Sequence, residues 1–367
     1  MEVMRWDAQA LSPQRGPVTG DNSNSSASGA APAPDALLPL AGLVRSVSTP
    51  EFSGVTFHEV TAKSVLNKVA SGSRMPFEWT VNPYRGCSHA CVYCFARKSH
   101  TYLEFDAGHD FDSQVIVKIN AAEVLRKELS KPSWGHHHVA LGTNTDPYQR
   151  AEGRYQLMPG IISALADSGT PFSILTKGTL LGRDIPLLKQ ASSQVSVDLG
   201  ISLAMTDEAL ASLVEPGTPA PRVRLKLIRR LREAGLPCGV MAMPILPWLT
   251  DSDDALESLF TALSEAGATG VTAGALYLKP GTREWFMQWL AANHPGLVGK
   301  YRGLYGQGSY VSKEYKTWLS GRISHFKARH GFSGSSGFSH RNAAAGKEPA
   351  GSLPRTSFPA TGQSTLF

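Results

Sequence analysis

Three of the four cysteines, Cys87, Cys91 and Cys94, fall within the eight residues CSHACVYC. A disulfide framework spreads its cysteines through a small secreted domain. This C-x3-C-x2-C packing instead predicts a metal or cluster site kept in a reducing compartment. Three thiolates at such spacing can wrap one face of an iron–sulfur cubane. Ferredoxin-type clusters take four cysteines, so three leave one iron without a protein ligand. An open coordination position is what makes a metal site catalytic rather than structural. Arg85 and Arg97 flank the segment and favour thiolates electrostatically. The rival reading is a zinc site with His89, His100 or His109 as fourth ligand, although no second C-x2-C pair accompanies it. Cys238 lies far away and reads as a small buried hydrophobe.

These cysteines need a scaffold, and the surrounding pattern supplies one. Short apolar runs at Glu78–Pro83, Val139–Asn144, Phe172–Lys177, Ser196–Ser202, Gly239–Ile245 and Val271–Leu278 predict six strands. Helical patterns lie between and after them, at Ala121–Leu129, Met158–Asp167, Asp184–Gln190, Pro221–Ala234, Asp251–Ala266 and Thr282–Ala292. Val223, Leu227, Ile228 and Leu231 form an apolar stripe on the fourth of these. Asp251 or Ser252 can cap the fifth. Six strand–helix units with short turns argue an α/β fold on a parallel sheet, open or curled into a barrel. The cysteines follow the first strand, at the edge where parallel βα folds place their active sites. Asn144 and Asp146 after strand two, and Lys177 after strand three, are candidates to line the same edge.

Composition bounds the rest. The chain has 367 residues, 42% of them apolar and 18% charged, which suits a sizeable buried core and excludes a wholly disordered chain. No apolar run approaches membrane-spanning length and no secretory signal opens the chain, so a soluble, cytoplasmic protein is expected. Residues 1–47 and 331–367, rich in Ser, Ala, Gly and Pro, are expected to be mostly disordered tails. Between them a lead-in at 48–75, a core domain at 76–293 and a helical C-terminal extension at 294–330 are predicted. Residues 300–367 hold ten Lys and Arg against two acids, a surplus of eight in a chain whose net charge is +6. That surplus is either a solvated helix and tail or an electrostatic footprint for nucleic acid. His136, His137 and His138 cannot share one face of a strand and read as a turn. Tyr301, Tyr305, Tyr310 and Tyr315 read as packing of the helical extension.

The segment CSHACVYC, with Tyr93 before the third cysteine, resembles the signature of radical S-adenosylmethionine (SAM) enzymes. The likeness extends through Asn82–Gly86, Gly142–Gln149, Phe172–Gly178, Gly200–Ala204 and Glu215–Leu246. It is nearest the spore photolyase branch and an actinobacterial group of uncharacterised members, and it runs from about Thr49 to Gly331. The resemblance implies a partial (β/α)6 barrel and a [4Fe-4S] cluster on Cys87, Cys91 and Cys94, with SAM chelating the open iron. It also implies a low-potential electron donor, flavodoxin or ferredoxin. Cleavage of SAM to methionine and a 5′-deoxyadenosyl radical belongs to the cofactors; the protein orients them and excludes water. By the same resemblance Tyr93 and the Phe95 backbone flank the adenine, Met243 packs on it, and Ser202 meets the ribose. Lys177 meets the SAM carboxylate or ribose, Arg224 the carboxylate, and Asp146 the amino group or the substrate. Spore photolyases carry a further cysteine after strand two; here that stretch is Thr143–Asp146 without a thiol, so thymine-dimer repair is not carried over. The expected function is radical SAM chemistry on an unidentified substrate, with nucleic acid preferred. The alternative is a zinc-stabilised nucleic-acid-binding module without catalysis.

Overall fold

Apolar runs bounded by turn residues form strands wherever both faces can be covered, and the central sheet follows this rule. In the computed structural model the described residues are 42–70 and 75–332. Expectations for 1–41, 71–74 and 333–367, including most of both tails, lie outside them. The strands are β1 (Leu43–Ser48), β2 (Thr56–Val60), β3 (Leu66–Lys68), β4 (Trp79–Val81), β5 (Tyr84–Arg85), β6 (Gln114–Lys118), β7 (Val139–Leu141), β8 (Phe172–Thr176), β9 (Val197–Ser202), β10 (Cys238–Ile245) and β11 (Gly270–Ala275). The helices are α1 (His109–Ser113), α2 (Ala121–Leu129), α3 (Arg150–Tyr155), α4 (Leu157–Asp167), α5 (Ile185–Ser192), α6 (Glu208–Val214), α7 (Pro221–Glu233), α8 (Asp253–Glu265), α9 (Thr282–Asn293), α10 (Val298–Tyr305) and α11 (Lys313–Arg329).

The larger sheet runs β11-β10-β9-β8-β7-β4-β3. Its six strands from β4 to β11 pair in parallel, and β3 closes one side antiparallel to β4. Phe172, Ile174, Leu199, Ile201, Val240 and Ala242 are buried, as expected for strands covered on both faces. The two outer strands do not pair with each other, so the sheet stays open as a partial (β/α)6 barrel. Gly142, just after β7, has φ +83°, and a Cβ there would lie 1.9 Å from the Leu175 carbonyl oxygen; only glycine lets these strand ends approach so closely.

The helices read from the sequence lie where expected to within a few residues. On α7, Leu227, Ile228 and Leu231 are buried, and Arg224 shares that inner face. Pro221 opens the same helix, where its missing N–H is no loss. Ser252 caps α8 by accepting from the Ala255 N–H at 3.2 Å.

A second, four-stranded sheet was not foreseen. It runs β1-β2-β6-β5, with β2 parallel to β6 and the outer pairs antiparallel. It corrects the boundary of the expected N-terminal disorder, because Leu43–Ser48 is a strand paired with β2. Cys238 is fully buried at the start of β10, and His136 takes φ 51° in the irregular stretch before β7. Tyr301 and Tyr305 are buried and donate to the Pro247 and Leu276 carbonyls, as packing residues should. Among the described residues no helix is long and apolar enough to cross a membrane.

Candidate active site

The cysteine loop leaves β5 and is held from several directions. Cys87 and Cys91 are buried, Cys94 is half-buried, and all three are free thiols. The loop turns on two backbone bonds, Ala90 N–H to the Cys87 carbonyl at 3.1 Å and Cys94 N–H to the Cys91 carbonyl at 3.2 Å. Arg97 is fully buried beneath it. Its Nε and Nη2 donate to the Cys91 carbonyl at 3.1 and 3.0 Å, and Nη1 donates to the Gly108 carbonyl at 2.8 Å. Nη2 also reaches both Asp112 oxygens at 2.9 Å, and the guanidinium stacks 4.9 Å from the Trp285 ring.

The stretch after β7 braces the loop from the other side. Thr145 Oγ1 donates to the Tyr84 carbonyl at 2.7 Å. Gln149 donates to the Gly86 carbonyl at 3.0 Å and accepts from the Ser88 N–H at 2.9 Å. More distant segments join in: Val92 N–H meets the Val214 carbonyl, Gly217 N–H meets the His89 carbonyl, each at 3.0 Å, and Thr282 Oγ1 meets the Cys94 carbonyl at 2.9 Å. A Cβ on Gly217 would lie 1.9 Å from the Ser88 carbonyl oxygen, so that contact requires glycine.

Beside the loop, the carboxy ends of β8 and β9 carry a charged group centred on Glu215, which the sequence reading did not single out. Glu215 is buried and pairs with Arg224 Nη2 at 2.6 Å and with Lys177 Nζ at 3.6 Å, and it accepts from the Tyr93 hydroxyl. Burial opposes its charge, but Arg224 and Lys177 hold its pKa down at about 2. Lys177 Nζ donates to Ser202 Oγ at 2.6 Å and sits 5.7 Å from the Tyr93 ring centre. Burial disfavours this ammonium, yet Glu215 and Cys91 raise its pKa above the ordinary lysine value.

The structure therefore brings Tyr93, Lys177, Ser202 and Arg224 together. Arg224 reaches the site through Glu215 and the Ser202 carbonyl, 2.9 Å away, rather than by pointing a free guanidinium at a ligand. Asp146 differs from expectation more sharply. Its oxygens accept from Tyr148 N–H at 2.8 Å, Thr176 Oγ1 at 2.5 Å and Lys177 N–H at 2.7 Å, and His89 Nδ1 stands 3.3 Å away. That ties the ends of β7 and β8 to the cysteine loop. Burial disfavours charge on His89, but Asp146 and Cys87 raise its pKa to about 10. Asn144 is half-buried in the turn after β7. Met243 is half-buried near the end of β10, with its methyl group over Gly274. The Phe95 side chain is exposed, with Lys279 Nζ 5.7 Å from its ring centre.

The donor set fits a cubane better than a single ion. Among the described residues no three His, Cys, Asp or Glu side chains converge on one metal position. A cubane presents its irons at separate corners, so its thiolates need not converge. Burial pushes the Cys91 thiol well up and Cys94 to about 11. Iron binding here would therefore release protons from this loop, and the nearby Lys177 ammonium would offset the resulting charge.

An α/β scaffold with a thiol-bearing loop over the carboxy edge of a parallel sheet defines a cofactor-binding class of proteins. Within that class, residues 81–259 match the model of the radical SAM superfamily, and the chain belongs to it. It is 55% identical over 331 residues to an uncharacterised protein of Mycobacterium tuberculosis, covering 90% of this chain and 94% of that protein. An uncharacterised protein of Methanocaldococcus jannaschii is 28% identical over 200 residues, covering 54% of this chain and 71% of that one. Among solved structures, spore photoproduct lyase complexed with dinucleoside spore photoproduct matches with a TM-score of 0.56 at 15% identity, covering 75% of this chain and 79% of that one. This last likeness is one of fold.

Proposed function

We propose that Cys87, Cys91 and Cys94 hold a [4Fe-4S] cluster, that SAM binds beside it, and that the enzyme acts on nucleic acid. One observation carries the reading: three free thiols, two buried and one half-buried, sit in a loop braced against the carboxy edge of the parallel sheet, beside the Lys177–Glu215–Arg224 system. Together, cluster and SAM supply reductive cleavage of the sulfonium to methionine and a 5′-deoxyadenosyl radical that takes hydrogen from the substrate.

The chain's own residues orient and screen. Glu215 and Ser202 fix the Lys177 ammonium, whose remaining donor meets the SAM carboxylate or ribose. Ser202 adds its hydroxyl at the ribose. Arg224 holds Glu215 in place, and so sets Lys177 indirectly. Tyr93 and the Phe95 backbone flank the adenine, Met243 covers it, and Asn144 adds a polar group at the rim. Asp146 positions the loop through His89. A low-potential donor such as flavodoxin or ferredoxin supplies the electron. The basic C-terminal stretch and the fold shared with a lyase complexed with a dinucleoside support nucleic acid as the substrate class.

The test is anaerobic reconstitution with iron, sulfide and dithionite, followed by incubation with SAM. Wild-type protein is expected to show broad absorption near ~400 nm and to yield 5′-deoxyadenosine, and Cys91→Ala neither. Native protein carrying zinc without iron would overturn the proposal.

A further inference from the structure

A cleft of about 460 Å³ is lined by Trp248, Asp251, Asp253, Tyr315, Trp318 and Arg322. Its size suits a small ligand. Trp248 lies in the turn after β10, five residues beyond Met243. Trp248 follows the carboxy end of β10, so the cleft opens at the carboxy edge of the sheet. Tyr315, Trp318 and Arg322 stand at i, i+3 and i+7 on one face of α11.

Two large indoles here face solvent: Trp248 is 42% exposed and Trp318 is 45% exposed. Trp248 also takes φ +60°, a left-handed conformation that a bulky side chain adopts only at a cost, and such strain clusters at binding and catalytic sites. Its ring is backed by Tyr301, with centroids 5.6 Å apart, and by Lys300 Nζ at 5.7 Å. The Trp318 ring carries the Arg322 guanidinium at 4.8 Å. Tyr315 stands between the indoles, 6.4 Å from one and 5.3 Å from the other.

The charges select the ligand. Asp251 accepts from the Tyr315 hydroxyl at 2.6 Å, and Asp253 pairs with Arg322. Among the described residues Arg322 is the one cation of the lining and is taken by Asp253, and Lys300 lies over the Trp248 ring, so Asp251 and Asp253 are left as acceptors. Each indole already has a cation over its ring, so a cationic guest would gain little from either. What remains are indole surfaces for stacking and carboxylates that can accept from ring or amino N–H groups. Lys313, Lys316 and Arg302 are exposed on α11 and α10, where they can meet phosphates.

We propose that this cleft holds unpaired bases of single-stranded nucleic acid, one on the exposed face of Trp248 and one on that of Trp318, and so docks the strand at the carboxy edge of the sheet. The inference rests on the nucleic-acid reading above and names a binding site for it. The experiment compares a labelled single-stranded oligonucleotide of about 12 nucleotides, within the usual site size, with an abasic oligomer of the same length. Both are titrated into the full chain by fluorescence anisotropy. The base-bearing strand is expected to bind about tenfold more tightly, as one or two stacked bases provide. Trp318→Ala and Trp248→Ala should bring its affinity down to that of the abasic strand, and Trp318→Phe should keep most of the preference. An unchanged preference in both alanine variants, with their thermal midpoints intact, overturns the cleft but leaves nucleic-acid binding standing. Failure of both oligomers to bind wild-type protein overturns the nucleic-acid reading and the cleft with it.

Discussion

A buried carboxylate held between two cations decides how Lys177 stands. With Glu215 in place, the ammonium is fixed against Ser202 and Tyr93, and Arg224 has a partner. Removing that charge leaves two buried cations short of a counter-charge, which costs about 3 kcal/mol. Glu215→Gln is therefore expected to lower the stability of the cluster-free chain by that order in denaturant unfolding. A change below about 1 kcal/mol would show that the pair is solvated. Lys177, Ser202 and Arg224 were legible because each ends a strand or sits in a recognisable motif. Glu215 was not, since a single acid before Pro216 and Gly217 has no partner at helical or strand spacing. The available clue was chemical: a buried lysine and arginine at one sheet edge require an anion.

At the scale of elements, the cysteine loop owes its shape to groups other than its thiols. Arg97 makes a two-pronged contact to the Cys91 carbonyl and to Asp112 while stacked on Trp285. A lysine cannot reproduce that planar fork. Arg97→Lys is expected to keep all three thiols yet take up at least twofold less iron per chain on reconstitution, measured by iron assay against protein concentration. Full iron loading would show that the loop holds its shape without the fork. The strands β8, β9 and β10 were readable because continuous apolar runs end in turns. The second sheet was not. Its central pair joins β2 to β6 across more than fifty residues, and β1 is largely exposed, so no local period announces either.

For the whole molecule, acid sensitivity can be traced to an interior histidine. His138 is buried before β7, neither ring nitrogen has a partner, and burial lowers its pKa to about 4. The unfolded chain binds this proton near the ordinary histidine value of about 6.5. Stability from the neutral ring is therefore complete above that value and is lost as pH falls through about 4. Buried Glu152 and half-buried Asp112, each pushed up to about 6 by desolvation, act in the opposite sense: the fold binds their protons first. Comparing wild type with His138→Gln isolates the histidine. Wild type is expected to lose about 3 kcal/mol more than the variant between neutral pH and about 4. Parallel profiles would refute the assignment.

The bracing of the cysteine loop also sets an order of events during synthesis. Its supports at Val214, Gly217 and Thr282 lie more than a hundred residues downstream of the thiols. At ordinary translation rates of about 5–20 residues per second, the last of them emerges roughly 10–40 s after Cys94. Throughout that interval the thiols lack their final enclosure and are open to oxidation. Insertion of the proposed cluster would thus be a late step of maturation, and a nascent chain truncated before Thr282 would lack the contact that anchors Cys94.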